Sequence, residues 1–222
     1  MDIEKYSNIL QLGKPFFIDE QMKLYYARHS RAVRVAWLLE ELELLYEIES
    51  FSVGDQALRD PEFKAIHPLG RIPVLIDGDV KIHESGAIIQ YILAKYSAGR
   101  LQFESTDQNF HEYLQWFHFA EGMIMPPLNT LVVETVLLPP DRKNEVNVKR
   151  ATKILNQILH VVENRLNEVD YLAGHFSSAD IMSGHAIIMS AHHGIDFTDK
   201  PNCKRYVDKL MARPQLSKAW SL

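Results

Sequence analysis

Two short stretches carry residues in an order with chemical consequences. Arg71-Ile72-Pro73 falls where a helical pattern gives way to a strand pattern. An X-Pro bond at a strand start is open to the cis form, which would turn the Ile72 backbone outward with its donor and acceptor unpaired. Such a backbone can pair with a peptide. Glu84-Ser85 stands at the start of the next helix. There a hydroxyl, free helix amides and the positive end of the dipole suit a carboxylate, while Glu84 suits an ammonium group. Together they would receive the charged end of an amino acid. Each has a plainer reading: Pro73 starts an edge strand, and Ser85 caps its helix.

Other chemistries lose their handles. The 10 histidines include His111, His118, His185 and the pair His192-His193, without ligand spacing. His83-Glu84 opens an H-E-x-x-H pattern, but Ala87 stands where the second ligand belongs, so no metal is expected. There is no G-x-G-x-x-G turn and no phosphate loop. The single cysteine, Cys203, cannot build a disulfide framework or a thiolate cluster, and reads as inert. A net charge of -5 with scattered Lys and Arg leaves nucleic acid and anionic lipid as unexpected partners. The most apolar region, Gly122 to Leu138, is broken by Pro126-Pro127, Asn129 and Glu134, short of the about 18 residues a membrane span needs. No leader pattern opens the chain, and a cytosolic location is expected.

The elements that must position these residues follow from periodicity. The length of 222 residues leans toward two domains. Met1 to Gln21 is polar and aperiodic and reads as a dispensable extension, with Phe16-Phe17-Ile18 its only apolar run. A chain starting at Met22 is expected to keep the properties of the full chain. Lys23-Leu24-Tyr25-Tyr26 is β-prone, and Ser30 suits an N-cap before a helix with Val35, Leu38, Leu39 and Leu42 on one stripe. A strand from Tyr46, a short helix opened by Asp60-Pro61 and a hairpin turning at Asp77-Gly78 come next. A helix with Ile89, Ile92, Leu93 and Tyr96 on one face completes a β-α-β-α-β-β-α order over residues 22–97. A linker at 98–105 precedes residues 106–222, which show only helical patterns. Leu155, Ile158, Leu159, Val162 and Leu166 are the clearest stripe, and Pro126-Pro127 should kink or break its helix.

In this order the residues resemble the cytosolic glutathione transferase family. The resemblance covers Met22 to Leu222 and rests on Leu24-Tyr25-Tyr26-Ala27-Arg28-His29-Ser30-Arg31, on His67-Pro68-Leu69-Gly70-Arg71-Ile72-Pro73-Val74-Leu75, and on Glu84-Ser85-Gly86-Ala87-Ile88. Phe176-Ser177-Ser178-Ala179-Asp180-Ile181 looks like the family's buried capping box, Ser177 as N-cap and Asp180 at the third helical position. The resemblance implies an α/β thioredoxin-like N-terminal domain and an all-α C-terminal domain. It further implies glutathione as co-substrate, a small hydrophobic electrophile as its partner, and a homodimer. Ile72 and Pro73 would meet the tripeptide backbone, Glu84 and Ser85 its γ-glutamyl end, and Arg71 its glycyl carboxylate. His111, Trp116, Phe119 and Met123 would include residues of the electrophile pocket, although the last three also fit a buried stripe.

Ser30 falls where serine-type members carry the catalytic hydroxyl, four residues before Arg34, whereas Arg31 occupies the place of the cysteine-type thiol. Whether Arg28, His29 or Arg31 assists is open, and Tyr25 and Tyr26 read as packing residues. A thiol of pKa about 8.5 is only about 3% ionised at pH 7, and lowering it by ~2 units takes ~2.7 kcal/mol. A hydroxyl donating to the sulfur supplies ~1.5–3 kcal/mol and a helix start ~0.3–1. The two suffice. Two alternatives stay open: peroxide reduction or dehalogenation by the same thiolate, and a non-catalytic interaction module of the same fold.

Overall fold

The computed structural model describes residues 21–52 and 54–222. The expectations for the extension, including Phe16-Phe17-Ile18, lie outside the described residues. The first domain contains β1 (Met22–Ala27), α1 (Ala32–Glu41), β2 (Tyr46–Phe51), α2 (Pro61–Ile66), β3 (Val74–Asp77), β4 (Val80–His83) and α3 (Ser85–Tyr96). This is the order read from periodicity. The sheet runs β2-β1-β3-β4, with β1 parallel to β2 and antiparallel to β3. The central strand β1 is buried except at Lys23, because helices cover one face and the Tyr25-Leu58-Phe63-Val74 cluster under α2 covers the other.

The stripe of Val35, Leu38, Leu39 and Leu42 is buried, but so are Ala32, Val33, Arg34, Ala36, Trp37 and Glu41. α1 lies between the sheet and the helical domain, so no face is left for solvent. Glu41 is paid its partners there: it accepts from Trp37 Nε1 at 2.8 Å and from both Nε and Nη2 of Arg213 at 2.7 and 2.8 Å. The hairpin turn is one residue later than expected. Asp77 pairs with Val80, leaving Gly78 (φ 56°) and Asp79 as the central residues. Asp77 is instead a buried strand end that accepts from Tyr91, Tyr96 and Lys95.

The second domain is helical throughout its described residues. α4 (Phe110–Phe119) runs through a π turn, Ala120–Ile124, into α5 (Met125–Val132) and a second π turn, Val133–Leu137. The helix expected to kink or break at Pro126-Pro127 is not broken there. The prolines take the second and third places of α5, just after the wider turn in which the Met125 amide reaches back to the Ala120 carbonyl. α6 (Glu145–Glu168) buries Leu155, Ile158, Leu159, Val162 and Leu166 as expected. Helical backbone from Ser178 passes through a π turn at Asp180–Gly184 into α7 (His185–His192), followed by α8 (Pro201–Met211) and α9 (Pro214–Ser221).

The capping box forms. Asp180 accepts from the Ser177 amide at 2.9 Å while Ser177 Oγ accepts from the Ala179 amide. Its other oxygen takes the Leu172 amide and the Tyr206 hydroxyl. One apolar core runs from Leu24 and Trp37 through Phe117 to Leu159 and Leu216, so the two domains share their interior. No helix among the described residues is long and apolar enough to cross a membrane.

Candidate functional site

Where the segment leading into β3, the start of α3 and the first π turn converge, a cavity of about 290 Å³ opens. Its lining includes Arg71, Ile72, Pro73, Glu84 and Ser85, all five of the residues assigned to glutathione, joined by Arg31, His67, Glu121 and Asn129. The Ile72-Pro73 bond is cis. Ile72 precedes β3 and stands outside its ladder. Glu84 holds φ 74°, a left-handed backbone that costs a non-glycine residue ~1–3 kcal/mol and that persists where surrounding structure imposes it. It is the residue before α3, so Glu84 takes the cap position and Ser85 is the first helical residue. This corrects the capping role of Ser85: its hydroxyl makes no cap bond but accepts from Arg34 Nη1 at 3.2 Å.

Gly70 holds the approach to Arg71 in place. At φ 60°, a Cβ there would lie 2.1 Å from the Leu58 carbonyl oxygen, so only glycine fits. His67 is buried and accepts from the Leu69 amide at 3.1 Å, and burial together with His83 holds its imidazole below the ordinary range. The cavity therefore carries two guanidiniums, Arg31 and Arg71, and two carboxylates, Glu84 and Glu121. That pattern suits a ligand with both signs of charge. Burial pushes the Glu121 carboxyl up, but the Arg34 and Arg31 charges outweigh it and hold it below its usual value.

Ser30, one residue before Arg31, is not on the cavity wall. Its hydroxyl donates to the Ala27 carbonyl at 2.7 Å and accepts from the Ala32 amide at 3.1 Å. The helix proper begins at Ala32, with Arg31 in the cap position, so Ser30 supports the helix start from one residue further out. Arg31 is the neighbour that reaches the cavity, its Nε bonded to both Glu121 oxygens at 3.0 Å. Arg28 is turned away to the main-chain oxygens of Ser221 and Leu222. His29, at φ 59°, stacks on His192 with ring centres 4.7 Å apart and lies against Trp220. Tyr25 and Tyr26 are buried; the Tyr26 hydroxyl donates to the Ala219 carbonyl, and burial lifts its pKa to about 12.

None of His111, Trp116, Phe119 and Met123 lines this cavity, although Trp116 and Phe119 pack on each other. Trp116 is core, its Nε1 donating to Glu112 at 3.1 Å. Phe119 is half-buried against Trp116, and His111 is exposed beside Glu112. Met123 is exposed and lines a separate groove of about 550 Å³ with Pro126, Arg150 and Ile154. The π turn after Phe119 interrupts the regular period on which the shared stripe depended. Glu121 and Asn129 were missed because nothing in their local sequence sets them apart, and His67, although it opens the stretch that leads to Pro73, was given no role. Among the described residues no group of His, Cys, Asp and Glu could hold a metal ion.

Residues 20–94 match the description "Glutathione S-transferase, N-terminal domain", and residues 124–214 match "Glutathione S-transferase, C-terminal domain". Glutathione S-transferase F10 of Arabidopsis thaliana is 33% identical over 71% of this chain and 74% of its own length. Among solved structures, the glutathione transferase URE2P8 of Phanerochaete chrysosporium with oxidised glutathione is 30% identical. It covers 91% of this chain and 95% of that one at a TM-score of 0.81. Glutathione S-transferase-I bound with lactoylglutathione is 27% identical, covering 91% and 99% at a TM-score of 0.78. With both domains matched in order around one charged cavity, the chain belongs to the glutathione S-transferase family.

Proposed function

We propose that the chain binds glutathione in the cavity at Arg71, Ile72, Pro73, Glu84 and Ser85 and joins its thiolate to a small hydrophobic electrophile. One observation carries this reading: the five residues, drawn from two separate stretches of sequence, line a single cavity of about 290 Å³. Glu84 takes the γ-glutamyl ammonium, Ser85 and the first α3 amides take the adjoining carboxylate, the Ile72 backbone pairs with the cysteinyl unit, and Arg71 faces the glycyl end. Ser30 donates to the sulfur, for which its proton must leave the Ala27 carbonyl. The product is a thioether, with the leaving group of the electrophile departing with its electron pair.

The homodimer and the cytosolic setting belong to the same reading. Exposed Leu69, Val136 and Leu137 offer apolar surface for a second copy to cover. Retention on immobilised glutathione, followed by a conjugation assay over a panel of aryl and alkyl electrophiles, tests the function; no retention and no turnover would refute it. A second reading, reduction of hydroperoxides by two glutathiones, is favoured by the oxidised glutathione in the Phanerochaete relative, since that disulfide is the product of such a reaction. Hydroperoxides in the same panel separate the two.

A further inference from the structure

Beneath the cavity lies an arginine that does not touch it. Arg34, on α1, is fully buried and is absent from the cavity wall. Its Nε donates to His185 Nδ1 at 3.2 Å, and its Nη1 donates both to Ser85 Oγ at 3.2 Å and to Glu121 Oε1. One guanidinium thus joins α1, the start of α3, the first π turn and α7. The pairing is incomplete: Arg34 Nη2 and His185 Nε2 are buried without partners among the described residues. A buried charge with one partly exposed carboxylate and a neutral imidazole as partners is poorly compensated, so packing alone does not account for it.

The consequence falls on Ser85. A hydroxyl has one proton to donate and two lone pairs to accept with. Ser85 Oγ spends a lone pair on Arg34 and makes no other side-chain hydrogen bond among the described residues. Its proton therefore stays free on the side away from Arg34, and Ser85 lines the cavity. We propose that Arg34 is a positioning residue that fixes the Ser85 hydroxyl as a donor toward a ligand carboxylate and strengthens that bond with the positive charge behind it. Glu121 anchors the guanidinium from the helical domain. His185 anchors it from α7, where burial and the Arg34 charge keep the imidazole neutral and its Nδ1 able to accept. The inference rests on the reading that Ser85 receives the γ-glutamyl carboxylate.

The test is a double-mutant cycle on the full chain, with glutathione affinity read by calorimetry. Ser85→Ala and Arg34→Met are each expected to weaken binding about tenfold, since each removes a charge-assisted donor or its support. The double variant should lose no more than about twofold beyond Ser85→Ala. A glutathione analogue with hydrogen in place of the γ-glutamyl α-carboxylate should bind the wild type and Arg34→Met equally. If the two single losses multiply, or if the analogue is weakened as much as glutathione, Arg34 acts through general structure and the inference is wrong. If Ser85→Ala binds glutathione normally, the assignment of the γ-glutamyl subsite falls first and takes the inference with it. Should Arg34→Met fail to fold, Arg34→Lys, which keeps the charge but loses the fork, enters the same cycle with the same expected non-additivity.

Discussion

Replacing Ser30 by alanine separates its two tasks in magnitude. In the structure the hydroxyl is engaged on both sides, to the Ala27 carbonyl at 2.7 Å and from the Ala32 amide at 3.1 Å. A bond to a thiolate is worth ~1.5–3 kcal/mol, but making it gives up the bond to Ala27, worth ~0.5–1.5. The difference is ~1.3 kcal/mol at the middle of the two ranges and at most ~2.5, smaller than the isolated hydroxyl would suggest. Ser30→Ala should therefore lower kcat/KM by about 10-fold, at most about 70-fold, and raise the pKa of bound glutathione by about 1 unit, at most about 1.8, at 1.36 kcal/mol per unit. Losing the acceptor for the Ala32 amide costs a further ~1 kcal/mol of stability, or a fall in Tm of about 2–4 °C in a chain of this size. The assays are the pH dependence of conjugation, the thiolate absorbance of bound glutathione and thermal unfolding. A variant with the wild-type rate and profile would refute the argument, and Arg31, which lines the cavity, would be the next residue to change.

Gly70→Ala should destabilise by about 2–5 kcal/mol, combining a left-handed φ with a Cβ lodged against the Leu58 carbonyl, and denaturant unfolding would detect it; a wild-type midpoint would mean the Gln56–Arg59 turn yields freely. Asp180→Ala should cost about 3–5 kcal/mol because the Leu172 and Ser177 amides and the Tyr206 hydroxyl are left unpaired inside the domain, and a loss under about 1 kcal/mol would show that these donors find other partners. Burial and the Arg34 charge hold the His185 pKa well below 6.5, so below pH 6.5 the unfolded chain binds more protons and stability falls with falling pH, by at most about 1.4 kcal/mol per pH unit from this group. His185→Gln should flatten the unfolding midpoint between pH 7 and pH 5, and an unchanged slope would place the dependence on other histidines.

The element order of the first domain, the helical second domain and the capping box at Ser177 were all legible because they are local: a two-residue or 3.6-residue period, or a hydroxyl three residues before an acid, is complete within one short window. Four of the cavity residues were legible for a similar reason, since cis-competent Pro73 with Ile72 and the helix start at Glu84-Ser85 carry their geometry in their neighbours, whereas Arg71 was assigned through the family resemblance. What the tertiary structure decided is everything that depends on two elements meeting. The stripe on α1 predicted one buried face, but the helical domain buries the opposite face too and turns Arg34 and Glu41 into interior charges. Pro126-Pro127 read as a kink or break, yet the helix runs on through a π turn just ahead of them, and that turn sets Glu121 between Arg31 and Arg34. Whether an acid on a helix faces solvent or a guanidinium from another domain is a matter of packing across about 90 positions of chain, here from Arg31 to Glu121, and no local period encodes it.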